Sequence, residues 1–188
     1  MKKILYILVF LISPLSIQAQ DFKIILFGDS LMAGYGLDSS NHLDRFLEED
    51  LLKLNIKSKI INASVSGDTT SGGLNRLNWS LQDDYDLFIL GLGANDMLRG
   101  INPEVTKNNL INIIKAVLDK NIPILLTGMR APSSYGKAYQ KSFNEIYSNL
   151  VKEFKISFYP FLLEGVALNP ELNQADGKHP NIKGVKII

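Results

Sequence analysis

Lys23–Phe27 (KIILF) is a short apolar run that leads directly into Gly28-Asp29-Ser30-Leu31. Similar runs follow along the chain at Lys59–Asn62, Asp86–Leu92, Ile122–Thr127 and Ile156–Tyr159. The intervals between them place apolar residues at helical spacing, as Leu43, Phe46 and Leu47 do. Strands that are almost entirely apolar and alternate with amphipathic helices are typical of a parallel sheet covered on both faces. The pattern predicts an α/β domain, a three-layer α/β/α sandwich around a mostly parallel five-stranded sheet.

This architecture predicts where a site would lie. In open α/β sheets, ligands bind beyond the carboxyl ends of the strands. Three loops rich in Gly, Ser, Asn and Asp leave those ends, at residues 28–36, 63–73 and 93–100. We expect the three loops to lie side by side on one rim of the sheet.

The composition restricts the function classes. The chain has 188 residues, which suggests one domain with a substantial core, and a formal net charge of +1. Because there is no broad basic or acidic excess, we expect no nucleic-acid partner. The absence of cysteine excludes disulfides and a thiol nucleophile. We expect a monomer that acts on a small molecule.

The first twenty residues have the pattern of a secretory signal peptide. Two lysines are followed by apolar Ile4–Ile12, and Ile17-Gln18-Ala19 ends in a small residue suited to cleavage. The alternative is a membrane anchor, although the apolar run is shorter than the roughly 20 residues that span a bilayer. We therefore predict a signal peptide at 1–20, one domain at 21–188, no stable membrane insertion after processing, and a periplasmic or secreted location.

Three residues could form a serine nucleophile system. Ser30 offers a hydroxyl at a strand end, and Asp176 and His179 offer a carboxylate and an imidazole three residues apart. A serine hydroxyl needs a base within hydrogen-bonding distance, and a carboxylate can orient that base. The alternatives are that Ser30 caps a helix and His179 is a surface residue. His42, the other histidine, is predicted to face solvent or to cap a helix.

Acyl transfer also needs donors for a developing oxyanion. Gly67 can present an unobstructed backbone N–H from the second rim loop, and Asn95 can present a side-chain amide from the third. Taken singly, an ordinary turn glycine and an ordinary capping residue are the simpler interpretations. Asp29, Asp68 and Asp96 lack a recognisable metal-ligand spacing, and we expect them to hold loops by hydrogen bonds.

Four segments, taken together, carry a specific resemblance. They are Gly28-Asp29-Ser30-Leu31, Asn62–Thr69, Gly93-Ala94-Asn95-Asp96 and Asp176-x-x-His179-Pro180. In this order they resemble the four sequence blocks of the SGNH (GDSL) hydrolases, over nearly the whole mature chain. The chain is most similar to the bacterial branch of acyl-CoA thioesterases, lysophospholipases and arylesterases.

The resemblance implies a flavodoxin-like fold and a role for each matching residue. Ser30 would be the nucleophile and, through its backbone N–H, an oxyanion donor beside Gly67 and Asn95. His179 would be the base, supported by Asp176. No metal and no organic cofactor are implied. Family members usually continue through a longer C-terminal helix than this sequence allows, so the helix here would be short or the sequence incomplete.

The predicted activity is hydrolysis of acyl esters or thioesters, including lysophospholipids, through an acyl-enzyme. We expect an acyl-binding groove lined by Met32, Tyr35, Leu98, Met129 and Pro132, although apolar residues at such a rim belong to the core as often as to a pocket. One alternative is a carbohydrate O-acetylesterase of the cell envelope. Another is a non-catalytic binding domain that kept the fold.

Overall fold

The computed structural model describes residues 21–188, so the predicted signal peptide lies outside the described residues. The strands are β1 Phe22–Gly28, β2 Ser58–Asn62, β3 Leu87–Gly91, β4 Ile124–Thr127 and β5 Ser157–Tyr159. The α-helices are α1 Ser30–Ala33, α2 Leu43–Lys53, α3 Thr70–Ser80, α4 Ala94–Leu98, α5 Pro103–Leu118, α6 Lys137–Phe154 and α7 Ile182–Val185. Two 3₁₀ turns lie at Ser39–Asn41 and Ser133–Tyr135.

The five strands form one all-parallel sheet in the order β2-β1-β3-β4-β5. In the centre of the sheet, Ile25 of β1 pairs with Ile61 on one side and with Phe88 on the other. The predicted five-stranded parallel sheet is therefore confirmed. β2 lies on one side of β1, and β3, β4 and β5 follow in order on the other side. The order reverses between β1 and β3, which is where open α/β sheets bind ligands.

The helices cover both faces of the sheet. Parallel crossovers are right-handed, so a connection that steps one way along the sheet and one that steps the other way lie on opposite faces. Accordingly α3, α5 and α6 pack side by side, whereas α2 packs on β2 and α1. The arrangement is the predicted three-layer α/β/α sandwich. Within residues 21–188 no helix has both the length and the apolar character needed to cross a bilayer.

Local sequence explains where helix α5 begins. Pro103 occupies the first turn of α5, where its missing N–H costs nothing. The Asn102 side chain accepts a hydrogen bond from the Glu104 N–H and so caps the helix. The buried face of α5 then packs in the core through Leu110, Ile113, Ile114 and Val117, all fully buried.

A pair of glycines makes room beneath the first rim loop. Gly28 and Gly91 are neighbours in register at the carboxyl ends of β1 and β3. A Cβ on Gly28 would lie 2.7 Å from the Met32 sulfur and 2.8 Å from the Gly91 carbonyl oxygen. The Met32 side chain fills this space and is only 1% exposed. The prediction that Met32 lines the acyl groove is therefore wrong, because the paired glycines leave space in the core that its side chain fills.

The glycine pair predicts a thermodynamic coupling. In Gly91→Ala, the new methyl overlaps the end of the Met32 side chain, and we expect a loss of about 1–3 kcal/mol in the free energy of unfolding. Met32→Ala alone leaves a cavity and costs roughly 2–5 kcal/mol. In the double variant the two defects partly compensate, so its loss is smaller than the sum by about 1 kcal/mol or more. Urea unfolding of the four proteins measures this, and strictly additive losses would contradict it.

Candidate active site

Ser30 is held at the end of β1 by the residue before it. Asp29 caps α1, and its Oδ1 accepts a hydrogen bond of 3.0 Å from the Leu31 N–H. Ser30 is the first residue of α1 and not its cap. The interpretation of Ser30 as a capping residue is therefore wrong, because the neighbouring carboxylate does the capping and leaves the hydroxyl free.

The hydroxyl of Ser30 meets a histidine that lies 149 residues away in the chain. Ser30 Oγ is 2.8 Å from His179 Nε2, and His179 Nδ1 is 2.6 Å from Asp176 Oδ2. With the proton on Nδ1 donated to the carboxylate, Nε2 is free to accept from the hydroxyl. The structure thus brings Ser30, His179 and Asp176 into one hydrogen-bonded chain.

The Asp176 carboxylate is fixed by its own loop. Its Oδ1 accepts from the backbone N–H groups of Lys178, at 2.9 Å, and His179, at 3.0 Å. The hydrogen bond from the His179 ring, followed by these two backbone bonds, holds the pKa of Asp176 well below its usual range. The carboxylate is therefore ionised and oriented toward the ring near neutral pH.

Gln174 fastens the histidine loop to the serine side of the site. Its Nε2 donates to the Tyr35 carbonyl at 2.7 Å and to the Pro180 carbonyl at 3.0 Å, and its backbone N–H donates to the His179 carbonyl at 2.8 Å. The rings of Tyr35 and His179 pack with their centroids 4.5 Å apart. Sequence reasoning missed Gln174, because nothing local marks a residue whose partner is 139 positions away.

The predicted oxyanion donors border the same cavity. Gly67 is exposed in the loop after β2 and has a φ of 84°, a left-handed conformation suited to glycine. Asn95 is the second residue of α4, and its Nδ2 donates to the Asp68 carbonyl at 2.9 Å. A primary amide has two N–H groups, so Nδ2 has one more N–H besides the one that binds Asp68. Ser30, Gly67, Asn95 and His179 all line this cavity.

The prediction that the rim aspartates hold loops by hydrogen bonds is confirmed most clearly at Asp96. Its fully buried carboxylate accepts from the Thr70 N–H at 2.8 Å, the Thr70 hydroxyl at 2.5 Å and the Thr106 hydroxyl at 3.2 Å. These bonds join the start of α4 to the start of α3 and to α5. In the described part of the chain, no three His, Asp or Glu side chains converge where they could hold a metal ion.

Asp29 carries the unusual electrostatics of the site. Its Oδ2 is buried and makes no hydrogen bond of ordinary geometry among residues 21–188. Burial raises the pKa of Asp29 to about 7, with smaller contributions from the Asp96 and Asp68 charges, while the Leu31 N–H and the Asn95 amide oppose the rise. A large part of Asp29 is therefore protonated at neutral pH in the folded protein.

An apolar groove of about 610 Å³ opens beside Ser30, within the range of about 300–1,000 Å³ common for ligand sites. Of the predicted lining residues, Tyr35, Leu98, Met129 and Pro132 border it. Further apolar walls come from Leu31, Met97, Ala131, Phe161, Leu163 and Leu168. Several of these follow β5, where no motif in the sequence marks a site.

His42 takes no part in the site. It occupies the N-cap position of α2, although its side chain makes no capping hydrogen bond, and the residue is half-buried. Nε2 lies 3.0 Å from the Leu37 carbonyl, and the ring packs against Gly34, where a side chain would overlap it. The predicted capping position is therefore confirmed, whereas the ring does not face solvent, because it fills a gap between the first rim loop and α2.

The raised pKa of Asp29 predicts a pH-dependent stability. Between the ordinary carboxyl pKa of about 4 and the folded value of about 7, the unfolded chain is ionised while the folded one keeps its proton. The wild type therefore loses stability as pH rises through this window, and Asp29→Asn does not share this loss. From pH 5 to pH 8, we expect the stability difference to move in favour of Asp29→Asn by roughly 2 kcal/mol. Urea unfolding at the two pH values measures it, and parallel pH curves would contradict the assignment.

Comparison with known proteins relates this chain to a family of hydrolases. The GDSL-like Lipase/Acylhydrolase family model matches residues 26–187. The chain is 40% identical to Thioesterase 1/protease 1/lysophospholipase L1 of Escherichia coli (strain K12) over 84% of this chain and 75% of that protein. It is 37% identical to an arylesterase of Vibrio mimicus over 96% and 90%. The crystal structure of AlinE4, an SGNH-hydrolase family esterase, superposes with a TM-score of 0.81 at 44% identity and covers 89% of this chain and 90% of its own. The chain belongs to the GDSL-like lipase/acylhydrolase family.

Proposed function

We propose that this protein is a serine hydrolase that cleaves acyl esters and thioesters through an acyl-enzyme on Ser30. The observation that carries the proposal is the hydrogen-bonded chain from Ser30 through His179 to Asp176, which opens onto an apolar groove. Family membership supports the same reaction class, as do relatives named as a thioesterase, a lysophospholipase and an arylesterase.

The geometry fits the first half of a two-step reaction. Ser30 Oγ attacks the acyl carbonyl carbon while His179 Nε2 takes the hydroxyl proton. Asp176 holds Nδ1–H and stabilises the imidazolium that forms. The new oxyanion lies among the backbone N–H groups of Ser30 and Gly67 and the side-chain amide of Asn95.

The intermediate then collapses and the enzyme is regenerated. The bond from carbon to the leaving oxygen or sulfur breaks, and His179 gives its proton to the departing alcohol or thiol. A water molecule next attacks the acyl-Ser30 carbonyl, with His179 as base. The bond between the acyl carbon and Ser30 Oγ then breaks, His179 gives its proton to Oγ, and the carboxylic acid leaves.

The groove favours an acyl chain over a small acyl group. Tyr35, Leu98, Met129 and Pro132 present mainly apolar surface beside the nucleophile. Each methylene of a bound acyl chain that is buried against this surface contributes about 0.8 kcal/mol to binding. A carbohydrate O-acetylesterase would make little use of these walls. We therefore propose acyl esters, acyl thioesters and lysophospholipids as the substrate class.

We further propose that the hydrolase domain, residues 21–188, acts in the periplasm or outside the cell. The signal-peptide pattern of residues 1–20 supports export. N-terminal sequencing of the protein after expression from its full reading frame would test this. A mature chain that begins near Asp21 is expected, and an intact N-terminus would count against the proposal.

The nucleophile is tested by a matched pair of serine variants. Ser30→Ala removes the attacking oxygen and is expected to lower kcat on a p-nitrophenyl ester by roughly 10³-fold or more. Ser66 lines the same groove, but the hydroxyl bonded to the imidazole is that of Ser30, so Ser66→Ala should keep kcat within a few-fold. A fluorophosphonate probe should label wild type and Ser66→Ala, with the adduct on Ser30, and leave Ser30→Ala unlabelled. Labelling that persists in Ser30→Ala would refute the assignment.

Substrate class is tested with p-nitrophenyl esters from C2 to C16, together with an acyl-CoA and a lysophospholipid. Because the groove is apolar, kcat/KM should rise beyond C2 and reach its maximum at a longer chain. Ser30→Ala serves as the background control for each substrate. A sharp preference for acetate with no turnover of longer esters would favour the carbohydrate O-acetylesterase instead.

A further inference from the structure

We propose that Arg76 is a positioning residue that holds all three oxyanion donors of the proposed active site in one arrangement. The inference rests on the proposed function, since it concerns the hole in which the reaction would place its charge. Arg76 lies on α3 and contacts none of the proposed catalytic side chains. Its side chain is 22% exposed, which places the guanidinium mostly within the protein.

The guanidinium binds three separate points of the rim. Its Nη2 donates to the Gly28 carbonyl at 3.2 Å, its Nη1 to the Ala63 carbonyl at 2.5 Å, and its Nε to Asp68 Oδ2 at 2.5 Å. Gly28 ends β1, Ala63 follows β2, and Asp68 lies further along the second rim loop. The guanidinium carbon also lies 4.0 Å from the ring centroid of Phe27. One cation therefore ties the two loops together above the sheet.

Each of these points leads to a donor of the hole. Gly28 precedes Ser30 by two residues, so fixing the Gly28 carbonyl restrains the backbone that leads to Ser30 and orients the Ser30 N–H. Asp68 follows Gly67 directly, so its anchored carboxylate restrains the Gly67 peptide. The Asp68 carbonyl accepts from Asn95 Nδ2 at 2.9 Å and thereby aims the amide. Arg76 is thus connected to the backbone donors and to the side-chain donor, while Arg99 Nη2 also binds the Gly67 carbonyl at 2.8 Å.

Arginine is suited to this arrangement and lysine is not. The guanidinium is a planar fork with five N–H donors, so it can bind three acceptors that lie in different directions. An ammonium group is a compact point charge and cannot reach all three from one position. Asp68, whose side chain is 15% exposed, also depends on this partner, because a largely buried carboxylate without a cation is unfavourable.

A purely structural role for Arg76, as a link between α3 and the sheet, predicts a different result from a positioning role. Loss of a structural link lowers the amount of folded protein but leaves the folded molecules as active as before. A displaced oxyanion hole lowers kcat in the folded molecules and changes KM little, because the hole binds the transition state more strongly than the substrate. A trifluoromethyl ketone, which adds to the serine and forms an oxyanion in the hole, reports the same loss as weaker inhibition.

The test compares Arg76→Ala and Arg76→Lys with the wild type at equal concentrations of folded protein. For Arg76→Ala we expect kcat to fall by roughly 10–10³-fold with KM within about three-fold. The inhibition constant of an alkyl trifluoromethyl ketone should weaken by a similar factor. Millimolar guanidinium chloride should restore part of the activity of Arg76→Ala, because the free ion can occupy the vacated site. Arg76→Lys keeps the charge and is expected to fold, but to recover only part of kcat.

Val117→Ala is the matched control for lost stability. Val117 is fully buried on α5, and its truncation weakens the core without touching the rim loops. Its kcat per folded molecule and its inhibition by the ketone should equal those of the wild type. The proposal is overturned if Arg76→Ala and Arg76→Lys behave as Val117→Ala does. Failure of the proposed function is distinguishable, since the wild type itself would then neither hydrolyse the esters nor bind the ketone.

Discussion

The site depends on one topological constraint, the divergence of the chain where β1 and β3 end side by side. The connection after β1 leads to one face of the sheet and the connection after β3 leads to the other, because the crossovers are right-handed and step in opposite directions. No crossover can then close the space between the two strand ends. Ser30 enters that space from β1 and Asn95 from β3, and the crevice forms between them.

A crevice between strand ends leaves many backbone groups without partners, and charged side chains satisfy them. Asp96 binds the start of α3, and Arg76 binds two carbonyl groups at the strand ends. Hydrogen bonds to charged groups contribute about 1.5–3 kcal/mol each, more than neutral ones. The loops that carry the chemistry are thus held by electrostatics, whereas the sheet beneath them is held by apolar packing.

This division explains what could be predicted from the sequence. Strands such as β1 and the helix that begins at Pro103 follow from local pattern, and the serine and histidine segments follow from resemblance. Arg76 and Gln174 could not be predicted, because their partners lie up to 48 and 139 residues away and nothing beside them in the chain marks the contact. The error at Met32 has the same origin, since only strand register reveals the space that its side chain fills.

The two halves of the proposed machinery are anchored unequally. Ser30 and the oxyanion donors are bound to the central sheet, whereas His179 lies on a loop held by Gln174 and by the pairing of Asn173 with Pro180. The Asp176 side chain is 37% exposed. Solvent screens an exposed ion pair, so the Asp176 carboxylate stabilises an imidazolium less than a buried one would. The proposed oxyanion donors lie beside an apolar groove. In such surroundings a fixed N–H dipole interacts more strongly with a developing charge than it does in water. In the proposed mechanism, the larger share of transition-state stabilisation would therefore come from the oxyanion hole and from the residues that keep its geometry.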